Sequence, residues 1–370
     1  QFGMGGSMTM LPDAVENTVG NSEVTWEKVR KQNYGIDLKM FGARLSLTAD
    51  YFFEHRYDIL STRNTLPSIV AIELPLINLG EVDNRGYEIS LGWNSRTEKI
   101  DWWVQGNVSY SKNKIIFMDE VMPNYPWMAQ TGRSTGLNYG YRFDRFLRAD
   151  DFDADGALKT DGEGKPLLPV MSLGSPRPGD ALFKDLNGDG KIDGNDKTYF
   201  GYSQRPDYVL GLLGGFRYKN FEISMQWTAG LHASRMLSGE YRNAFGSTNG
   251  RALLKFLADG RWTPENLDAR FPRLTFLNKS HYLEDSDLWL MDGSYLRLKV
   301  AEIGYTFRDI PAFRKVGVKS LKVYFSGYNL LTLFSDLNDI DIDPEGATSG
   351  SNIDSYPNVR IFNFGVNITF

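Results

Sequence analysis

Apolar and polar side chains alternate with period two in a series of short segments along the chain. In residues 362–370, Phe362, Phe364, Val366, Ile368 and Phe370 hold one parity, while Asn363, Gly365, Asn367 and Thr369 hold the other. Successive side chains of a strand point to opposite faces, so this pattern predicts a strand with one apolar and one polar face. The same split occurs in Phe221, Ile223, Met225, Trp227 against Glu222, Ser224, Gln226, Thr228, and in Tyr87, Ile89, Leu91, Trp93 against Glu88, Ser90, Gly92, Asn94. Leu45, Leu47, Ala49, Tyr51 and Phe53 oppose Arg44, Ser46, Thr48, Asp50 and Glu54, and Tyr34, Ile36, Leu38, Met40 oppose Gly35, Asp37, Lys39. Segments 102–110, 208–218 and 321–330 keep a weaker alternation in which Gly replaces some side chains, as at bends or bulges. In 294–307 the apolar parity runs Leu296, Leu298, Val300 and then passes to Ala301, Ile303, Tyr305, Phe307, which predicts a β-bulge near Val300. The total is about nine strands, with essentially no segment of helical periodicity.

The connections alternate in length. Short ones fall at 41–42, 97–100, 219–220 and 309–319, and long ones at about 58–84, 112–205, 231–293 and 333–357. A soluble sandwich has no reason to gather its long loops at one end, whereas a transmembrane barrel has tight periplasmic turns and long outer loops. The expected fold is therefore all-β, a transmembrane antiparallel β-barrel. Leu91, Met225 and Ile368 are expected to face lipid, and Ser90, Gln226 and Asn367 the lumen. Tyr51, Phe52, Phe53, Trp102 and Trp103, near strand ends, are expected in interfacial girdles. An odd, incomplete set of strands does not close as an even-numbered bacterial barrel, so the chain reads as the C-terminal part of a larger one. Residues 1–25 then read as a residual extracellular loop from the upstream barrel, and 26–370 as the barrel portion. Phe370, the last apolar position of its strand, is placed where outer-membrane barrels carry an insertion signal.

Composition narrows the classes. With 41% hydrophobic, 14% aromatic and 24% charged residues, the 370-residue chain is not disordered. A net charge of −5 and a pI near 5.4 remove the phosphate attraction that nucleic-acid binding needs. The absence of cysteine removes disulfides, Cys-ligated zinc and thiol nucleophiles. A mean hydropathy of −0.37 and no long apolar run exclude a membrane helix but leave a barrel open, because alternation averages hydropathy away.

Candidate chemistry lies in the long connections. Asp185, Asn187, Asp189, Lys191, Asp193 and Asp196, with Gly190 and Ile192, fit the spacing of an EF-hand calcium loop, in which oxygens at alternate positions suit a hard cation. Position 12 is Asp rather than Glu, which weakens bidentate capture or admits magnesium, and helical flanks are absent; the expectation is structural Ca2+ (or Mg2+), and the alternative is an Asn/Gly/Asp turn with no ion. Gly132-Arg133-Ser134-Thr135-Gly136 matches a nucleophile-elbow string, but it lies in a polar loop without the strand and helix that motif requires. His55, His232 and His281 have no metal-ligand spacing. The acidic run Asp150, Asp151, Asp153, Asp155, Asp161, Glu163 reads as a solvated loop before a second cation site or a glycosidase pair. Tyr125, Trp127 and Tyr139 are candidate sugar-stacking rings, with packing inside the loop as the commoner use of such rings. No catalytic constellation emerges.

Ten short segments, taken in order, carry a resemblance. Trp26-Glu27-Lys28, Asn84-Arg85-Gly86-Tyr87-Glu88, Gly140-Tyr141-Arg142-Phe143, Pro178-Gly179-Asp180 and Asp185-Leu186-Asn187-Gly188-Asp189-Gly190 are followed by Arg261-Trp262-Thr263-Pro264-Glu265-Asn266 and Ser294-Tyr295-Leu296-Arg297-Leu298-Lys299. Asn329-Leu330-Leu331-Thr332, Asp343-Pro344-Glu345 and 363–370 complete the series, which resembles SusC-like TonB-dependent transporters from Trp26 onward. The resemblance implies an outer-membrane barrel of about 22 strands with an N-terminal plug. It also implies a SusD-like lipoprotein lid, coupling to the TonB complex, active import of oligosaccharides or else oligopeptides, and a Gram-negative outer membrane as the location. It admits a dimer of transporter–lipoprotein pairs. The plug, the TonB-contacting box and more than half of the barrel are not in this sequence, so those functions belong to an assembly with a missing N-terminal portion. The alternatives are a secreted all-β glycan-binding or glycan-cleaving protein and, more weakly, a passive porin-like channel.

Overall fold

The computed structural model describes residues 20–65, 75–97, 100–245, 253–276, 280–308, 310, 311, 315, 317–346 and 358–370. The expected residual loop therefore lies almost wholly outside the described residues. Nine long strands form one sheet in strict chain order. They are β1 Lys28–Met40, β2 Leu45–Ser61, β3 Ile77–Arg96, β4 Ile100–Phe117, β5 Tyr208–Tyr218, β6 Phe221–Leu231, β7 Tyr295–Arg308, β8 Ser320–Leu333 and β9 Ile361–Thr369. Every neighbouring pair is antiparallel. All short turns consequently lie at one end of the sheet and all long connections at the other. Among the described residues β1 and β9 each have a partner on one side only, so the sheet is an open stretch of barrel wall.

Cross-strand register carries one parity across the whole wall. Leu47 pairs with Leu91, Leu91 with Gly106, Gly106 with Leu212 and Leu212 with Trp227, all on the apolar face. Leu91, Met225 and Ile368 are among its exposed side chains, as the alternation predicts. On the other face Thr48 pairs with Ser90, Ser90 with Asn107, and Asp37 accepts from the Thr48 hydroxyl at 2.6 Å. The bulge falls where expected: Trp227 pairs with Leu298 but Gln226 with Val300, leaving Lys299 as the extra residue.

Two aromatic rows bound the apolar face. Toward the loops, Tyr34, Tyr51, Tyr87, Tyr110 and Tyr208 stand in register on five adjacent strands, with Tyr110 4.6 Å from Tyr208 between ring centroids. Toward the turns, Phe41, Trp93 and Trp102 form a chain of rings 6.0 and 6.4 Å apart. On β4 the rows are the eight residues from Trp102 to Tyr110 apart. That is about 26 Å along the strand, or about 20 Å of depth at the usual tilt, close to the apolar band of an outer-membrane barrel.

Two expected girdle members are elsewhere. Phe52 and Trp103 have lumen parity, and their rings lie over Gly86 and Gly215 of the next strand, where a Cβ would collide with them. A glycine's missing side chain leaves the pleat open for the neighbouring ring. Phe53 keeps the outer parity but sits one step above the tyrosine row. The first long loop is also shorter than 58–84, because β2 continues to Ser61 and β3 begins at Ile77. Above the apolar band the ladder persists, but nothing apolar is required outside it, so the alternation that betrays a strand stops.

The buried apolar cluster comes entirely from the long connections. Tyr141, Phe146, Leu147, Phe183 and Ile192 from residues 118–207 meet Leu237, Leu257, Phe271 and Trp289 from 232–294, together with Leu337 and Ile340 from the last connection. Cross-loop backbone bonds join them, including Tyr141 N–H to the Asp285 carbonyl at 2.8 Å. Buried Asp180 accepts from Arg273 Nε at 2.7 Å. The loops are one packed body rather than solvated excursions.

Candidate functional site

The lumen face near the loop body is lined with charge. Arg56 pairs with Glu27 at 3.1 Å, Lys31 with Glu54 at 2.7 Å, and Ser111 donates to Asn84 at 2.9 Å. Glu27, Glu54, Arg56, Asn84 and Ser111, together with Thr135, Gly136 and residues 203–207, line a polar hollow of about 1030 Å³. Glu54, Asn84 and Ser111 share lumen parity on β2 to β4, and Glu27 continues that of β1 one residue before it, because charged and amide side chains take the positions opposite the lipid-facing ones. Such a hollow offers both signs of charge and amides to a polar solute, beside apolar lining from Ile59, Val82 and Pro206.

The Asp185–Asp196 loop is closed by its own amides. Asp185 accepts from Gly188 at 2.6 Å and Gly190 at 2.8 Å, Asn187 Oδ1 accepts from Asp189 at 3.0 Å, and Asp189 accepts from Lys191 at 2.8 Å. Gly190 has φ +82°, at the position where a calcium loop needs its sharp turn. Asp193 caps Asn195 at 2.8 Å, and Asp196, fully buried, takes the amides of Leu186 and Asp193, each at 2.8 Å. Burial pushes the Asp196 carboxyl above the usual range, aided by Asp185, against the pull of those amides. The Lys191 side chain has no part in this ring of bonds. Among the described residues no three carboxylate or imidazole groups converge as a metal cluster. Each carboxylate oxygen that accepts one amide still has a second lone pair.

Tyr125 and Trp127 are brought onto this loop. Their rings stack at 4.5 Å with 11° between planes, Trp127 Nε1 donates to the Asn195 carbonyl at 2.9 Å, and Asn187 Nδ2 donates to the Tyr125 hydroxyl at 3.4 Å. Both rings are half-buried, so they brace the Asp185–Asp196 loop. Tyr139 packs at a tilt of 46° against Tyr199, with ring centroids 4.7 Å apart. Three members of the acidic run are spent on turns: Asp151 grips Arg145 through two bonds of 2.7 and 2.8 Å, while Asp153 and Asp161 cap the amides of 155 and 157, and of 163 and 165. Ser134 donates to the Asn113 carbonyl at 2.8 Å, which occupies its hydroxyl. His55 bonds Asp83 at 2.7 Å, His232 stacks on Tyr202, and His281 is buried with Nε2 3.0 Å from the Gly174 carbonyl.

One polar cluster escapes motif spacing. Arg297, on the lumen face of β7, pairs with Asp343 at 2.9 Å and Glu345 at 2.8 Å, and its Nε donates to Thr332 at 3.0 Å. Lys299, the bulged residue, also reaches Glu345, and Arg235 Nη2 holds the Pro344 and Gly346 carbonyls at 2.9 and 3.0 Å. The 343–346 turn is thereby clamped to the wall. The available signal was a cation at a lumen position of a strand and an acidic pair some 45 residues later, too distant for any spacing rule to connect.

A wall with an apolar outer band between two aromatic rows, a charged inner face and a loop body at one end defines part of a transmembrane β-barrel of the outer-membrane type. A family model described as "TonB dependent receptor-like, beta-barrel" matches residues 4–330. The chain belongs to that family, whose members are outer-membrane receptors and transporters of Gram-negative bacteria rather than enzymes. It is 30% identical over 377 residues to TonB-dependent receptor P3 of Formosa agariphila, covering 95% of this chain and 35% of that protein. TonB-dependent receptor SusC of Bacteroides thetaiotaomicron is 24% identical over 361 residues, covering 95% and 32%. The chain thus spans about a third of the length of these relatives. Among solved structures, the RagAB peptide importer in its open-open state superposes with a TM-score of 0.68 at 20% identity, covering 96% of this chain and 36% of that one.

Proposed function

We propose that this chain forms the C-terminal portion of a transporter that imports oligomeric nutrients, oligosaccharides or oligopeptides, across the outer membrane under TonB control. The observation that carries the reading is the polar hollow on the lumen face of a membrane-spanning wall, beneath a folded loop body. A hydrophilic oligomer needs such a water-facing, two-signed surface, and a lipid-soluble solute does not. SusC and RagAB among the similar proteins support a SusD-like lipoprotein partner on the loop side. The Asp185–Asp196 loop, with its preformed turn and half-used carboxylates, holds Ca2+ or Mg2+ structurally in this reading. Growth of a strain lacking the full-length gene on single oligosaccharides and peptides tests the function. Loss of growth on one of them, restored by the intact gene but not by a version uncoupled from TonB, supports active import. Undiminished uptake across the panel rejects it.

A further inference from the structure

We infer that the outer face of β3 and β4 binds a phosphate-bearing lipid headgroup of the outer leaflet, with an acyl chain lying in a groove directly below; this rests on the barrel reading above. One step above the tyrosine row, Arg85 pairs in register with Lys112, and Asp83 with Lys114. Arg85, Lys112 and Lys114 share the outer parity with Tyr87 and Tyr110, so they point where the lipid headgroups lie and not into the lumen. With Arg133 and Tyr202 they line a cleft of about 490 Å³.

The cleft carries a surplus of positive charge within a chain whose net charge is −5. Its carboxylates are already engaged: Asp83 is held by His55 Nδ1 at 2.7 Å, and Asp207 by Lys112 Nζ at 3.2 Å with His232 Nδ1 at 4.0 Å. Arg133 directs Nε and Nη2 to the Ala129 and Trp127 carbonyls at 2.7 and 3.1 Å and forms no ion pair among the described residues, Glu120 acting on it only through longer-range charge. Arg85 and Lys114 are exposed and form no ion pair among the described residues. Cations unpaired at a membrane interface draw anionic headgroups, and an arginine beside lysines suits a phosphate.

A second, independent feature begins on the same two strands and extends across β5 and β6. Below the tyrosine row the wall has an apolar groove of about 590 Å³, lined by Leu91, Gly106, Val108, Leu210, Leu212 and Trp227. The groove exists because Gly106 supplies no side chain between Leu91 and Leu212, its partners on either side. The descent from Lys112 through Tyr110 and Val108 to Gly106 covers six residues, about 20 Å of strand. Cationic cleft, aromatic step and apolar groove in line match one amphiphile: a phosphorylated lipid of the outer leaflet. A free phosphate would use the cleft alone, and a neutral lipid the groove alone.

The test uses the full-length transporter in detergent, titrated with lipid A bearing its phosphates, with dephosphorylated lipid A and with inorganic phosphate, followed by native mass spectrometry. Phosphorylated lipid A is expected to bind at least tenfold tighter than the dephosphorylated form. Arg85→Gln/Lys112→Gln/Lys114→Gln is expected to remove that preference. Gly106→Leu, whose Cβ would meet only Leu212 at 3.9 Å and the Gly211 carbonyl at 4.0 Å, is expected to weaken lipid A severalfold while the barrel keeps its heat-resistant mobility on gels. Equal binding of both lipids, or an undiminished preference in the triple variant, overturns the proposal. Binding of inorganic phosphate that competes fully with lipid A and ignores Gly106→Leu also overturns it, in favour of a free anion. If the barrel itself fails to insert in the outer membrane, the transporter reading fails first, and the gel mobility reports that separately.

Discussion

The wall and the loop body are two solutions to burial in one chain. In the wall, Leu91, Leu212 and Ile368 leave 51, 47 and 51% of their surface open, and no residue of β1 to β9 belongs to the buried apolar cluster. In the loop body, Phe183, Trp289 and Leu337 are buried to within 1% of completely, without any long strand or helix to organise them. The wall has lipid as the solvent of its apolar face, so its hydrogen-bonded ladder must satisfy the backbone while its side chains need no protein partner. The loop body stands in water, so it must bury apolar surface against itself, as any soluble domain does. The wall should therefore tolerate changes of apolar shape but not of polarity, whereas the buried positions of the loop body should tolerate neither.

The largest expected effect lies in the loop body. Phe183, stacked on Tyr141 at 4.9 Å, is 1% exposed, and Phe183→Ala should cost about 3–5 kcal/mol there. Protease nicking within residues 118–207 should rise while the barrel keeps its heat-modifiable mobility. A wall that melts together with the loops would show a single cooperative unit and break the comparison. Arg297→Ala should cost a similar amount, about 3–5 kcal/mol, because it leaves Asp343 and Glu345 without their buried cation. Hydrogen exchange in 335–346 reads that loss; unchanged protection there would mean that the clamp holds nothing.

Polarity is the test of the wall. Leu91→Arg should cost about 2–4 kcal/mol in a lipid-refolding assay, and Ser90→Arg, on the lumen side, far less. Equal costs would remove the lipid face. Asp185→Ala with Asp189→Ala should cost about 0.5–1.5 kcal/mol through the lost bonds to Gly188, Gly190 and Lys191, whose largely exposed amides regain water. If a divalent cation is bound, cleavage between Phe183 and Phe200 should depend on chelator in the parent and not in the variant; chelator indifference in the parent rejects the ion.

The smallest expected effect is a pH response confined to the loops. Burial alone would raise the Asp151 carboxyl, but the Arg145 guanidinium and the Arg148 amide hold it below the usual range. A depressed carboxylate contributes stability that is present above its unfolded value of 3.8 and lost as pH falls through the lower folded value. Nicking around residues 145–165 should increase below about pH 4. Arg145→Met should shift that onset, whereas the gel mobility of the wall should not move.

The alternation of side chains determined much of the wall by itself: nine strands, the face each presents, the bulge near Val300 and the gathering of long loops at one end. That was possible because a strand in a membrane is read by a local rule, two residues at a time, and neighbours pair in chain order. The upper ends of β2 and β3 were not legible, since outside the apolar band the rule has no force. Nor was the fate of Phe52 and Trp103, which depends on which residue of the next strand stands beside them; Gly86 and Gly215 decided it. The same limit governs the site. The spacing from Asp185 to Asp196 pointed to a structural cation loop, or else to an Asn/Gly/Asp turn with no ion; the chelator experiment decides the ion, and the turn's amide bonds are formed. Only the tertiary structure could set Tyr125 and Trp127 against it, join Arg297 to Asp343 and Glu345, or gather three loops into one buried cluster, because those contacts link residues tens to more than a hundred positions apart. Periodicity is a property of neighbours in sequence, while packing in water selects neighbours in space.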